Sequence, residues 1–191
     1  HFTRLFQEYG RDLGKAVDRA LTINDSFTPG QFVLPSSPYR HPDTACIGTL
    51  VALSPLELLE PTTPWVLPTI DFLMRSNLRE GLFFQKIVHT GLNPYLTVQL
   101  ARALLVCGDR RWLELARRLA QSATATGTWP EAIHPRKTGG CMGDGDHGWS
   151  AAEYVNLMRQ ALVMEWGQTL RLGCGVEAAW IDSGDPIEVK D

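Results

Sequence analysis

The chain has no apolar run approaching the roughly twenty residues that a membrane-spanning helix needs. A spanning helix is therefore not expected, and neither is a membrane partner. It also lacks an excess of one charge. Its 18 lysines and arginines stand against 21 aspartates and glutamates, a formal net charge of −3. With the signs interspersed there is no long basic face for a phosphate backbone, which argues against nucleic acid. Cysteine is scarce and unpaired. Cys46, Cys107, Cys141 and Cys174 are irregularly spaced, with no Cys-x-x-Cys pair, so they read as free thiols rather than a disulfide or zinc framework. Gly139-Gly-Cys-Met-Gly-Asp-Gly145 lacks the Lys-Ser/Thr ending of a phosphate loop, and no nucleophile elbow occurs. No cofactor is expected. The unpaired thiols, and first residues without a signal-peptide pattern, lean the expected localisation towards the cytoplasm.

What the chain does have is helical periodicity. Hydrophobic residues make up 44% of its 191 residues, enough for one sizeable core. Apolar positions recur at helical spacing in about six segments. The first spans Phe2 to about Leu21, weakened by Gly10 and Gly14. A second runs from Thr44 to Leu59 with a break near Ser54-Pro55. Thr63-Pro64 and Asn93-Pro94 each look like an N-cap followed by proline at the first helical position. A further helix spans Arg110 to Ala123, and Ser150-Ala-Ala-Glu153 has the form of a capping box that opens the last one. After Val163 the period shortens, and two short strands are expected in Gln168–Leu172 and Pro186–Lys190. The fold class expected is therefore all-α, antiparallel helical hairpins with a short C-terminal β appendix. The division expected is a helical domain over 1–163 and an extension over 164–191.

The connections alternate between short and long. The long ones are Thr22–Asp43, Arg79–Asn93 and Thr124–Trp149, which in antiparallel hairpins would all fall at one end. The third is far longer than an ordinary connection of about four to six residues. It carries Trp129, Glu131, Ile133, His134, Arg136, Met142, Asp144, Asp146, His147 and Trp149. Two indoles are costly to leave wet, so this loop is expected to be folded and to hold the functional site.

Asp43-Thr-Ala-Cys-Ile-Gly-Thr-Leu, Leu56-x-x-Leu59 before Pro64-Trp-Val-Leu-Pro-Thr-Ile70, Trp129-Pro-Glu131 and His147-Gly-Trp-Ser-Ala-Ala-Glu153 together resemble the later half of six-hairpin glycosidases. These are the glucoamylase-like (α/α)6-barrel glycoside hydrolases. Thr169-Leu-Arg-Leu-Gly-Cys-Gly-Val-Glu-Ala-Ala-Trp180 resembles the chain such enzymes run into a β region, so the likeness spans residues 43 to 180. It implies a partial (α/α)6 toroid of about six helices, an oligosaccharide or polysaccharide ligand, and hydrolysis of a glycosidic bond. The missing half of the barrel, or a second copy, would be the protein partner.

Glycoside hydrolysis requires two carboxyl groups, about 6.5–9.5 Å apart for inversion and about 5–5.5 Å for retention. By the resemblance Glu131 is the general base; its other reading is a loop hydrogen bond. The family's acid would fall in His89-Thr-Gly-Leu-Asn-Pro-Tyr95, which holds no carboxylate. Asp43 is the catalytic candidate in its place, and equally an N-cap to the Thr44 helix. Trp129, Trp149 and Tyr95 are stacking platforms or core aromatics. His134, Arg136 and His147, with His89, either contact sugar hydroxyls or a uronate carboxylate or organise the loop, and Asp144 and Asp146, in the same loop, are substrate contacts or stand in for the acid. His134, Cys141, Asp144, Asp146 and His147 follow no standard zinc spacing, so no metal is assigned. The rival reading is a non-catalytic carbohydrate-binding or helical interaction module.

Overall fold

Asn93 and Pro94 open the central helix as their types dictate. Asn93 Oδ1 accepts from the Leu96 N–H at 2.9 Å, and Pro94, with no N–H to leave unpaired, begins α3, Pro94–Val106. The structure is a computed structural model describing residues 2–27, 30, 32–87, 90–137, 139–143, 145–182 and 184, with backbone alone for 24–27. His89, Asp144 and the strand expected over 186–190 lie outside the described residues.

Almost every side chain of α3 is buried, because other elements surround it. Chain order begins with α1, Phe2–Phe27, then a 3₁₀ helix, Thr44–Ala52, and α2, Val66–Asn77. After α3 come α4, Arg111–Gln121, and α5, Gly148–Leu162, followed by the short α6, Ala178–Ile181. α4 contrasts with the buried α3 in being amphipathic. α4 turns Trp112, Leu113, Leu115, Ala116 and Leu119 inward and leaves Glu114 and Arg117 in solvent. α1 docks by its C-terminal half, with Ala20 buried and Val17 and Leu21 against the core, while Phe2, Leu5, Phe6, Tyr9 and Leu13 are exposed. Among the described residues no helix is long and apolar enough to cross a membrane.

Two helix starts differ from the local patterns. α2 begins at Val66 with no side-chain cap; Thr63-Pro64 instead forms a turn in which the Val66 N–H reaches the Thr63 carbonyl. α5 begins at Gly148, so Ser150 lies inside its first turn and the expected capping box does not form. The segment from Thr44 is 3₁₀ rather than α and stops before Pro55, which has no N–H to continue the ladder.

The larger correction concerns fold class. About 50% of the chain is helical and 12% is strand, so the all-α toroid expected from periodicity is overturned. Strands β1, Leu78–Arg79, β2, Leu82–Gln85, β3, Gly91–Leu92, β4, Ala132–Ile133, and β5, Gly140–Met142, form an antiparallel sheet in that order. Strands β6, Val163–Trp166, and β7, Thr169–Leu172, form a hairpin. The physical cause is backbone satisfaction. Leu82, Phe83, Leu92 and Ile133 belong to the core, so their amides leave water and must pair. Two of the long connections supply partners to each other through Leu92 and Ile133. Where the ladder gives out, side chains take over: Thr97 Oγ1 accepts from the Phe83 N–H at 3.0 Å and donates to the Asn93 carbonyl at 2.7 Å. Met164 and Trp166 of β6 pack into the same core as the helices.

All four cysteines are free, two buried or half-buried and two exposed. Burial pushes the Cys46 and Cys107 thiols from the ordinary 9.0 up to about 11. A raised thiol pKa gives stability that is whole below pH 9 and is lost as the unfolded chain's thiols ionise between 9 and about 11. In the native chain at pH 8, Cys141 and Cys174 are expected to react rapidly with a chromogenic aromatic disulfide, and Cys46 and Cys107 only on unfolding. Rapid reaction of all four would contradict this burial.

Candidate functional site

The sheet lies where α2 ends and where α3 and α5 begin, so it gathers the start of two helices around the connection from Ser122 to His147. That connection is folded, as its aromatic content required. Thr124 and Thr128 close a turn by a 2.8 Å backbone bond. Thr128 Oγ1 lies 2.6 Å from the Gly145 carbonyl and 2.8 Å from Asp146 Oδ1. The two ends of the loop are joined again where the His147 N–H donates to the Trp129 carbonyl at 2.8 Å.

Trp129 anchors the loop from inside. Its ring is 2% exposed, Nε1–H donates to the Leu119 carbonyl at 3.0 Å, and Tyr154 packs on it at 5.2 Å. The indole is thus a core residue with no face left for a sugar, which corrects its place among the ligand contacts. Two residues further on, Glu131 is half-buried at the start of β4. Gly143, with φ of +75°, lies against it so closely that a Cβ there would stand 3.1 Å from the Glu131 nitrogen.

Asp43 is corrected likewise. Its Oδ1 accepts from the Ala45 N–H at 2.8 Å, capping the 3₁₀ helix, and its Oδ2 pairs with Arg40 at 2.6 Å, so both oxygens are engaged locally. Asp146 faces the threonine hydroxyls of its own loop. His134 Nδ1 accepts from the Arg136 N–H at 3.1 Å, and the His134 N–H donates to the Gly139 carbonyl, so these two residues shape the tip of the β4–β5 hairpin. Among the described residues no three His, Cys, Asp or Glu side chains gather as a metal would need.

Three of the expected residues do come together. Trp149, on the first turn of α5, is 72% exposed despite its size. Tyr95, on the first turn of α3, lies 6.3 Å from it, and His147 lies 5.8 Å from it. His147 Nδ1 is 2.7 Å from Ser150 Oγ, which fixes the ring.

Below Tyr95 the structure adds a pair that sequence reasoning missed. Arg102, 6% exposed, donates Nη2 to Glu153 across α3 and α5. Burial works against the Arg102 charge, and the neighbouring Tyr95 pulls the other way. The signal was present, since Arg102 is the single charge in the apolar run Pro94–Val106. Glu153 was hidden by its local pattern with Ser150. Tyr95, Gln99, Arg102 and Glu153 line a small cleft of about 50 Å³ together with Val51, Ser54 and Pro55. Gln99 Nε2 ties α3 to the 3₁₀ helix through the Ile47 carbonyl at 3.1 Å.

Compared with family models, with curated proteins and with solved structures, the chain finds no match.

Proposed function

We propose that this chain binds a carbohydrate on the surface made by Tyr95, His147 and Trp149. The observation that carries the reading is the exposed Trp149 indole beside Tyr95, whose side chain also lines a small cleft with Gln99, Arg102 and Glu153. What sets Trp149 apart from the other exposed apolar side chains is the pair of rings, Tyr95 and His147, gathered beside it. Its flat apolar face suits the C–H face of a pyranose, and the cleft's donors and acceptors suit the hydroxyls at the ring edge. The resemblance of Trp129-Pro-Glu131 and His147–Glu153 to glycosidase segments supports the same ligand class.

Hydrolysis with Glu131 as general base is the second reading. It is favoured by the half-buried Glu131 standing two residues from the backbone bond that joins Trp129 to His147. It is weakened because Asp43 and Asp146 are committed to the cap and the loop. Binding without turnover is therefore the reading adopted.

Calorimetric titration of oligosaccharides, with reducing-sugar release, tests both. Trp149→Ala is expected to weaken binding at least about tenfold while changing folding stability by less than about 1 kcal/mol, as befits an exposed aromatic contact. Glu131→Gln is expected to bind like the intact chain, with neither releasing reducing ends. Turnover in the intact chain that disappears in Glu131→Gln would replace the binding reading with the catalytic one. Unchanged affinity in Trp149→Ala would remove the aromatic surface from consideration.

A further inference from the structure

The first half of α1 stands in solvent. Residues 2–15 are exposed, Glu8 alone being half-buried, and the helix docks on the core only by its C-terminal half. A solvated helical stretch of about 12–15 residues is marginal in water even when it is rich in alanine. This one also carries Gly10 and Gly14, which weaken it further. Its helical form calls for something that covers it.

The spacing of its apolar residues says what kind of surface that is. Phe2, Phe6, Tyr9, Leu13, Ala16 and Ala20 follow one another in alternating steps of four and three residues, the seam of a coiled coil rather than the broader face of a helix lying on a globular core. Ala20 is buried in the chain's own core, whereas Phe2, Phe6 and Tyr9 are 72%, 71% and 68% exposed and Leu5 and Leu13 are half exposed. An aromatic side chain carries about 150–250 Å², so the stripe leaves on the order of 500 Å² of apolar surface in water, at the upper end for a monomer. Two such stripes laid together cover about 1,000 Å², the area at which a specific interface begins.

The stripe is complementary to itself. With two α1 helices antiparallel and centred between Gln7 and Glu8, Phe2 faces Leu13 of the second copy and Phe6 faces its Tyr9, so all four exposed rungs are covered. The flanking positions then set Thr3 opposite Gly10 and Leu5 opposite Asp12, with no like charges facing each other. A shift by one heptad would set Asp12 against Asp12 and place Phe2 on Ala20, which the core already covers. Parallel pairing would crowd the two globular bodies at one end, because each is attached to the C-terminal half of its helix. Closed by a two-fold axis, the antiparallel pair leaves no stripe over.

We propose that this stripe is a self-association surface, on which two copies of the chain pair through antiparallel α1 helices, Phe2 against Leu13 and Phe6 against Tyr9.

Sedimentation equilibrium and circular dichroism of the intact chain across the micromolar range test it. The chain is expected to pass from dimer to monomer on dilution and to lose helical signal in the far ultraviolet as it does. Phe6→Glu and Tyr9→Glu are each expected to raise the dissociation constant at least about tenfold, with the near-ultraviolet spectrum of the core unchanged, since both side chains lie outside the core. Phe2→Ala and Leu13→Ala are expected to be non-additive in dissociation constant, because each removes one side of the same contact. Additive losses would overturn the antiparallel register, since a parallel pair keeps the two residues about three turns apart. A chain that is monomeric across the range, or a dimer that Phe6→Glu and Tyr9→Glu leave intact, would overturn the surface itself.

Discussion

Glu153→Leu is expected to destabilise the chain by about 3–5 kcal/mol, because it leaves the Arg102 charge buried with no counter-ion. The side chain of Arg102 is only 7% exposed, whereas that of Glu153 is 28% exposed. The two halves of the pair are therefore unequal. Arg102→Met strands a carboxylate that water can still reach, and its cost is expected near the low end, about 3 kcal/mol. The double variant Arg102→Met/Glu153→Leu removes both charges together and fills the space with apolar atoms. Its stability is expected within about 1 kcal/mol of the intact chain, since a buried ion pair replaced by well-packed hydrophobes is often neutral. Urea unfolding of the four proteins gives the coupling directly. Additive losses, with the double variant worse than either single one, would show that the two side chains do not depend on each other.

Gly175→Ala is expected to be the most damaging change of a single methyl group. Gly175 brings its backbone down on α5, its N–H donating to the Ala161 carbonyl at 2.9 Å. A Cβ at that position would stand 2.6 Å from Ala161 Cβ, 2.7 Å from Trp112 Cζ2 and 2.9 Å from Leu105 Cδ1. None of these neighbours has room to move, since all three lie in the core. Overpacking of this kind typically costs about 1–3 kcal/mol, and the three simultaneous contacts place it at the upper end. The turn that carries Gly175 leads into α6, where Trp180 meets Trp112 edge-on at 6.4 Å. A loss of tryptophan fluorescence structure should therefore accompany the lower urea midpoint. Gly14→Ala supplies the contrast. It sits on α1 where a Cβ meets nothing within 4 Å, and exchange of a helical glycine for alanine is expected to stabilise by about 0.5–1 kcal/mol. A Gly175→Ala variant as stable as the intact chain would mean that the turn does not pack on α5 as described.

Features decided within one turn of chain were legible. The Asn93-Pro94 start of α3 depends on a bond from Asn93 to Leu96 and nothing further away. The folded nature of the long loop was legible for a related reason, because Trp129 had to be buried somewhere. What periodicity reports is the face a residue presents, not the partner that covers it. Strands of two to four residues leave almost no alternation to detect, and Leu92 reveals nothing locally about Ile133. That is how an antiparallel sheet passed for two loops and the chain for an all-α toroid. Glu153 failed in the same way: three residues from Ser150 it makes a persuasive local pattern, yet its partner Arg102 is 51 residues distant. At the candidate site, the proximity of Tyr95, His147 and Trp149 depends on α3 and α5 starting side by side, and the exposure of Trp149 runs against the expectation that both indoles of the loop would be covered. Asp43 and Trp129 were misassigned because only their hydrogen bonds tell a cap or an anchor from a contact.

The single pairing of Leu92 with Ile133 has a consequence in time. Hairpins close early because their ends are near in sequence, but β3 and β4 are separated by the whole of α3 and α4. Their ladder cannot form until that helical hairpin has folded back and brought the two connections side by side, and the loop entropy is spent before the reward arrives. Helices can therefore precede the sheet. A chain stopped part-way holds its α3–α4 hairpin without the β3–β4 ladder, so the sheet and the connection from Ser122 to His147 are completed late in folding.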